Sequence, residues 1–129
     1  MTFFYCFANA SLTQRVVIYL LTKLQDHLDS VTVIFLNDFW IMRVVLASST
    51  PIERRDDSLA VLNENGIVYR LDSVICPAFR DLDQGYSITD VMNRHQLAIV
   101  SHGAPAPSEI RHFQEQFVTG LGYCPQSLV

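Results

Sequence analysis

Two stretches are apolar at both alternating registers: "TFFYCF" (Thr2 to Phe7) and "VTVIF" (Val31 to Phe35). That pattern predicts strands covered on both faces, as in the middle of a parallel sheet. Between them, Ser11-Leu12-Thr13-Gln14 has capping-box spacing, and Val17, Leu20, Leu21, Leu24 and Leu28 recur one helical turn apart. Asp29-Ser30 closes this helix. A strand, a crossover helix and a second strand predict an adjacent, parallel, right-handed pair.

Further along, "IMRVVLA" suits a short helix or a third extended piece. "SSTPIERRDD" is the most polar stretch and reads as a loop, with Pro51 keeping Thr50 out of helix. "DSLAVLNENG" predicts a helix stopped by a left-handed Gly66. "IVYRLDSVIC" then predicts a strand that delivers Cys76. Ser87, with Asp90 three residues on, opens another helix over "SITDVMNRH", and "LAIVS" is a short apolar strand or edge. "GAPAP" turns the chain. Ser108 caps a last helix bearing Ile110, Phe113 and Phe117, which Gly120 and Gly122 break before a terminal "SLV". Strands alternating with helices predict one α/β domain over residues 1–129, a three-layer sandwich with a mainly parallel central sheet.

Composition narrows the function. Half of the 129 residues are apolar, and 9 basic against 13 acidic residues leave a net charge of -4. No basic run provides a footprint for direct nucleic-acid contact. No apolar stretch approaches the roughly 20 residues of a membrane span. "MTFFYCFANAS" lacks the basic start of a signal peptide. Cys6, Cys76 and Cys124 are too few and too odd for a disulfide framework. These features place the protein in a reducing, cytoplasmic setting.

In α/β folds, functional groups gather beyond the carboxyl ends of strands. That rule selects Asn9 to Ser11, Asn37 to Trp40 with Asn37 and Asp38 as candidate binding residues, and Cys76 onward, along one expected rim. Cys76 stands where apolar "SVIC" gives way to charged "PAFRDLD". A helix starting just after it would favour the thiolate through its free amides, and Pro77 suits the first helical position. Arg80, one turn on, adds positive charge. Asp81 and Asp83 oppose it if they point the same way. The bland alternative is a small core residue at a strand end, since cysteine is often buried. Cys6 reads as packing. His27, His95, His102 and His112 form no metal motif with the cysteines, and no metal or cofactor is expected. Phe39 and Trp40 suit either an interface or the core.

Taken in order, the opening strand with Thr13-Gln14, the second strand "VTVIFLND", and a helix ending "NENG" before a strand and Cys76, Ala78 and Arg80 resemble the DsrE/DsrF family, within it the TusD-like subunits. The likeness runs nearly the whole length on short motifs. It departs where Asp81, not glycine, follows Arg80, and where Pro77 follows the cysteine. The resemblance implies a persulfide relay. Cys76 would accept sulfur from a donor protein and pass it to an acceptor protein, within a homo- or hetero-oligomer, toward tRNA thiolation or sulfur oxidation. Two rivals stand beside it: a non-catalytic subunit of that fold, and an unrelated binding module whose cysteine is structural.

Overall fold

The computed structural model describes residues 1–103, 107–112 and 115. Its elements are β1 (Thr2–Phe7), α1 (Ala10–Lys23), β2 (Leu28–Leu36), β3 (Phe39–Leu46), α2 (Ile52–Asn65), β4 (Ile67–Val68), α3 (Ile75–Asp83), α4 (Ile88–His95) and β5 (Ala98–Gly103). The five strands form one sheet in the order β4-β1-β3-β2-β5. Every pairing is antiparallel.

This overturns the mainly parallel sheet expected from the sequence. β1 and β2 do run in the same direction, because each is antiparallel to β3. They are not neighbours: β3 lies between them. The ambiguous "IMRVVLA" is that strand. Its apolar residues cover both faces because it occupies the middle of the sheet, with a partner on either side.

The hairpin that inserts β3 turns on two residues. Asn37 and Asp38 have φ of 53° and 66°, and Leu36 pairs with Phe39 directly across them. Two consecutive positive φ values make the tight primed turn whose twist matches the flanking strands. Asn and Asp tolerate this region better than other non-glycine residues. Their place in the sequence thus has a backbone reason.

Other boundaries moved for local reasons. Asn9, not Ser11, caps α1: its Oδ1 accepts from the Leu12 amide at 2.9 Å. Gln14 instead donates through Nε2 to the Pro107 carbonyl. "IERRDD" is not a loop but the exposed start of α2, entered through Pro51. Gly66 is extended (φ -152°), not left-handed. Only Ile67 and Val68 of "IVYRLDSVIC" form strand. Ser87 does cap α4, accepting from the Asp90 amide.

Side chains alternate across the sheet into two cores. Tyr5, Phe7, Val31, Val33, Trp40, Met42 and Val44 join Val16, Val17 and Leu20 of α1 and Leu62 of α2. On the other face Cys6, Ile34 and Ile41 meet Ile75, Ala78, Phe79 and Leu82 of α3 and Val91 of α4. Residues 107–112 are helical, and Ile110 is buried in the first core. Phe113, Phe117, Gly120, Gly122, Cys124 and the terminal "SLV" lie outside the described residues.

Candidate functional site

The order of β1, α1, β2, β3, α2 and β4, with the sheet sequence β4-β1-β3-β2, is the split β-α-β arrangement of ferredoxin-like folds. In this chain α3, α4 and β5 are added, and the two helices cover the second face of the sheet.

At one edge of the sheet stands β4, two residues long and, among the described residues, paired only with β1. Gly66 brings the chain there. Its amide closes α2 on the Leu62 carbonyl. A Cβ at this position would lie 2.5 Å from the Cys6 carbonyl oxygen and 2.6 Å from the Phe7 ring, closer than real atoms approach. Only glycine lets the chain press so near β1 before β4 begins.

The strand's hydrogen bonding follows from the next residue. The Tyr69 amide donates to the Phe4 carbonyl at 2.9 Å. Backbone groups on an antiparallel strand alternate in direction, so the amide and carbonyl of Val68 point away from β1, toward the open side. The side chains there are apolar and exposed: Ile67 at 67% and Val68 at 65%. Beside them a groove of about 310 Å³ is lined by Cys6, Phe7, Ala8, Phe39 and the Glu64 to Ile67 segment. Phe39 is half exposed, and Leu71 and Val74, further along the same stretch of chain, are exposed as well. Single exposed apolar residues are ordinary. Ile67 and Phe39 share one groove beside a strand edge, the kind of surface other chains use.

Cys76 lies in the first turn of α3, not at the end of a strand. The cap of that helix is Asp72, whose Oδ1 accepts from the Val74 and Ile75 amides, both at 2.9 Å. Its Oδ2 accepts from the Tyr69 hydroxyl. The Ile75 amide, the tyrosine hydroxyl and the Val74 amide together hold the Asp72 carboxyl below its ordinary range, against a smaller opposing effect of burial. Burial, then the hydrogen bond and charge of Asp72, push Tyr69 up to about 12. The Cys76 amide donates to the Asp72 carbonyl, and the residue is half-buried. Pro77 occupies the third position of α3, not the first.

Arg80 is exposed, one turn beyond Cys76. Neither neighbouring aspartate is left to oppose it freely. Asp81 Oδ2 takes His95 Nε2 at 2.7 Å and Arg94 at 3.3 Å. The His95 hydrogen bond, outweighing the effect of burial and helped by Arg94, holds the Asp81 carboxyl below its usual range. Asp83 pairs with Arg43.

The expected rim does not form as one line. Asn9 and Asn37 lie at the same end of the sheet, since β1 and β2 share a direction. β4 runs antiparallel to β1 and releases the chain toward Cys76 from the opposite end. Among the described residues no hydrogen bond or ion pair joins Asn37 or Asp38 to Cys76 or Arg80. Cys6 is packed as the sequence suggested, and burial pushes its thiol upward. Phe39 faces the groove, whereas Trp40 is fully buried. No helix among the described residues is long and apolar enough to cross a membrane.

No family model matches the chain, and no curated protein matches it in sequence. Among solved structures, the fold is similar to the C-terminal domain of YpbH, with a TM-score of 0.53 over 87% of this chain and 98% of that domain. At 14% identity that likeness concerns the fold alone.

Proposed function

We propose that this chain is a binding module, not an enzyme, and that it takes up an extended apolar segment of a partner protein along the open side of β4. The observation that carries this reading is the outward amide and carbonyl of Val68, next to exposed Ile67, which itself lines the groove with Phe39. An extended peptide satisfies such an edge by adding a strand, and alternate apolar side chains fill the adjoining groove. A two-residue edge offers few backbone bonds, so the apolar contacts set most of the affinity. The module acts in the cytoplasm, within a homo- or hetero-oligomer.

The test uses a synthetic heptapeptide of alternating valine and threonine, titrated against the isotope-labelled protein. Amide signals of residues 66–70 should shift first. Val68→Pro removes the outward amide and spares the bonds to β1, so it should weaken binding at least about tenfold while leaving the fold intact. Shifts confined to another face, or unchanged affinity in Val68→Pro, would sink the proposal.

A second reading keeps Cys76 as a persulfide carrier. What favours it is a half-buried thiol in the first turn of a helix, with Arg80 one turn on and both nearby aspartates occupied by their own partners. The DsrE resemblance lends this reading the role of the cysteine, not the sheet. Intact-mass analysis after incubation with a cysteine desulfurase and cysteine decides it: an added sulfur on the Cys76 peptide supports a carrier, and none removes it.

A further inference from the structure

His102, Thr32, Arg43 and Phe4 form one row across β5, β2, β3 and β1, on the face covered by α3 and α4. Arg43 is the centre of that row. Its side chain is only 7% exposed, and its guanidinium donates to Asp83 at the end of α3. The same group lies 4.8 Å from the centre of the Phe79 ring, also on α3. Arg43 Nε is buried without a partner. One strand cation thus adds a carboxylate and a ring contact to the apolar packing of the second half of α3 on the sheet, and leaves one buried donor unused.

His102 is the titratable neighbour of this tether. Its Nδ1 lies 2.7 Å from Thr32 Oγ1. The charged groups that act on it come from β3 and α3: Arg43 disfavours the imidazolium and Asp83 favours it, both secondary to burial, and together they leave the ring below its ordinary value. On α4, which packs against β5, Arg94 and His95 are committed to Asp81, and Asp90 is exposed. On α3, Arg80 is exposed and Asp81 is held by those α4 groups.

We propose that His102 is a proton-sensitive gate on the Arg43 tether: its protonation sets a second cation in the row, across Thr32 from Arg43, draws on Asp83, and loosens α3 from the sheet. The step is a simple proton uptake from solvent. Neutral His102 can accept from the Thr32 hydroxyl or donate to it. Imidazolium can only donate, so the hydroxyl proton must then find another acceptor. The new charge also shares the row with a buried guanidinium, with Thr32 between them. Because the folded state disfavours the imidazolium, the stabilisation is complete above the ordinary histidine value near ~6.5 and is lost as pH falls below it. α3 carries the Cys76 turn, so the gate couples acidity to the part of the molecule that the persulfide reading uses.

Hydrogen exchange of the full chain at pH 7.5 and 5.5, corrected for intrinsic rates, tests this. Amides of residues 79–83 should lose protection about threefold or more at the lower pH, with β3 amides unchanged, and His102→Gln should remove the difference. Equal protection at both pH values, or the same loss in His102→Gln, overturns the gate. Should that variant fail to fold, the wild-type His102 ring is titrated by NMR. A midpoint at or above that of free imidazole side chains, or Arg43 guanidinium signals that do not move with it, overturns the proposal as well.

Discussion

Asp83, at the last position of α3, reaches Arg43 in the middle of the sheet at 2.8 Å. The pair is lopsided: the arginine is buried, the aspartate more than half exposed. Most of its value therefore lies in not leaving the guanidinium alone. Asp83→Asn should destabilise by about 1–3 kcal/mol, read from urea unfolding. Arg43→Met, which removes the charge and fills similar space, should cost less than Asp83→Asn. The reverse order would show that the ion pair itself, and not the relief of a buried charge, supports the fold.

Gly66→Ala should be costly for a steric reason alone. Its Cβ would meet the Cys6 carbonyl and the Phe7 ring, and backbone on the β1 side cannot retreat without opening the sheet. A loss of about 1–3 kcal/mol is expected by thermal unfolding, with reduced protection of the Tyr69 amide. Full stability in the variant would mean that β4 can shift freely.

The hairpin gives the opposite sign. Asp38 sits at φ 66°, where a Cβ is a burden and glycine is not. Asp38→Gly should stabilise by about 0.5–1 kcal/mol, less the added entropy of the unfolded chain. A melting temperature below wild type would argue that the aspartate side chain has a further role at this turn.

Thiol reactivity separates the two described cysteines. Cys6 is buried between β1 and the second core, while Cys76 is half-buried at the start of α3. Native-state alkylation at pH 8 should label Cys76 and reach Cys6 only after denaturation. Equal rates at both would place Cys76 deeper than its helix turn does.

The Asp72 cap should show in acid. Its carboxyl is held below its ordinary value by the Ile75 amide first, so its stabilisation is present above an unfolded value near ~3.9 and disappears as pH falls through the lower folded value. In Asp72→Asn, the acid limb of a melting-temperature profile should flatten below pH 4, together with loosening of the first turn of α3. An unchanged acid limb would assign the acid sensitivity to other carboxylates, such as Asp81.

The apolar strands and most helices were legible because their signals are local: two-sided apolarity in β1 and β2, the Ser87 cap, the helix ending at Asn65. What the sequence concealed was which strand lies beside which. "TFFYCF" and "VTVIF" read as neighbours because both are covered on two faces, yet any central strand is so covered, whatever its direction. The discriminating residues were Asn37 and Asp38. Between two apolar runs they signal a tight hairpin, and a hairpin makes "IMRVVLA" an antiparallel strand. Taking them as rim residues hid the turn. A helix near Cys76 was legible from Pro77 and the change to charged residues, but not that Cys76 lies inside it and away from any strand end; Asp72, the side chain that starts it, reads in sequence as one more polar loop residue. The exposure of Ile67 and Val68 had no local mark at all, since an edge strand and an inner strand can share the same two apolar letters.

The insertion of β3 between β1 and β2 also orders events during chain collapse. β2 and β3 meet across a two-residue turn and can zip together on the microsecond scale of hairpins. β1 must wait, because its place is the far side of β3, across the whole of α1 and β2 in sequence. β4 and its glycine come last of the split motif, since their seat on β1 does not exist until β1 has docked. Among the described residues, the β4 edge is thus the one of the split motif whose template is laid down latest.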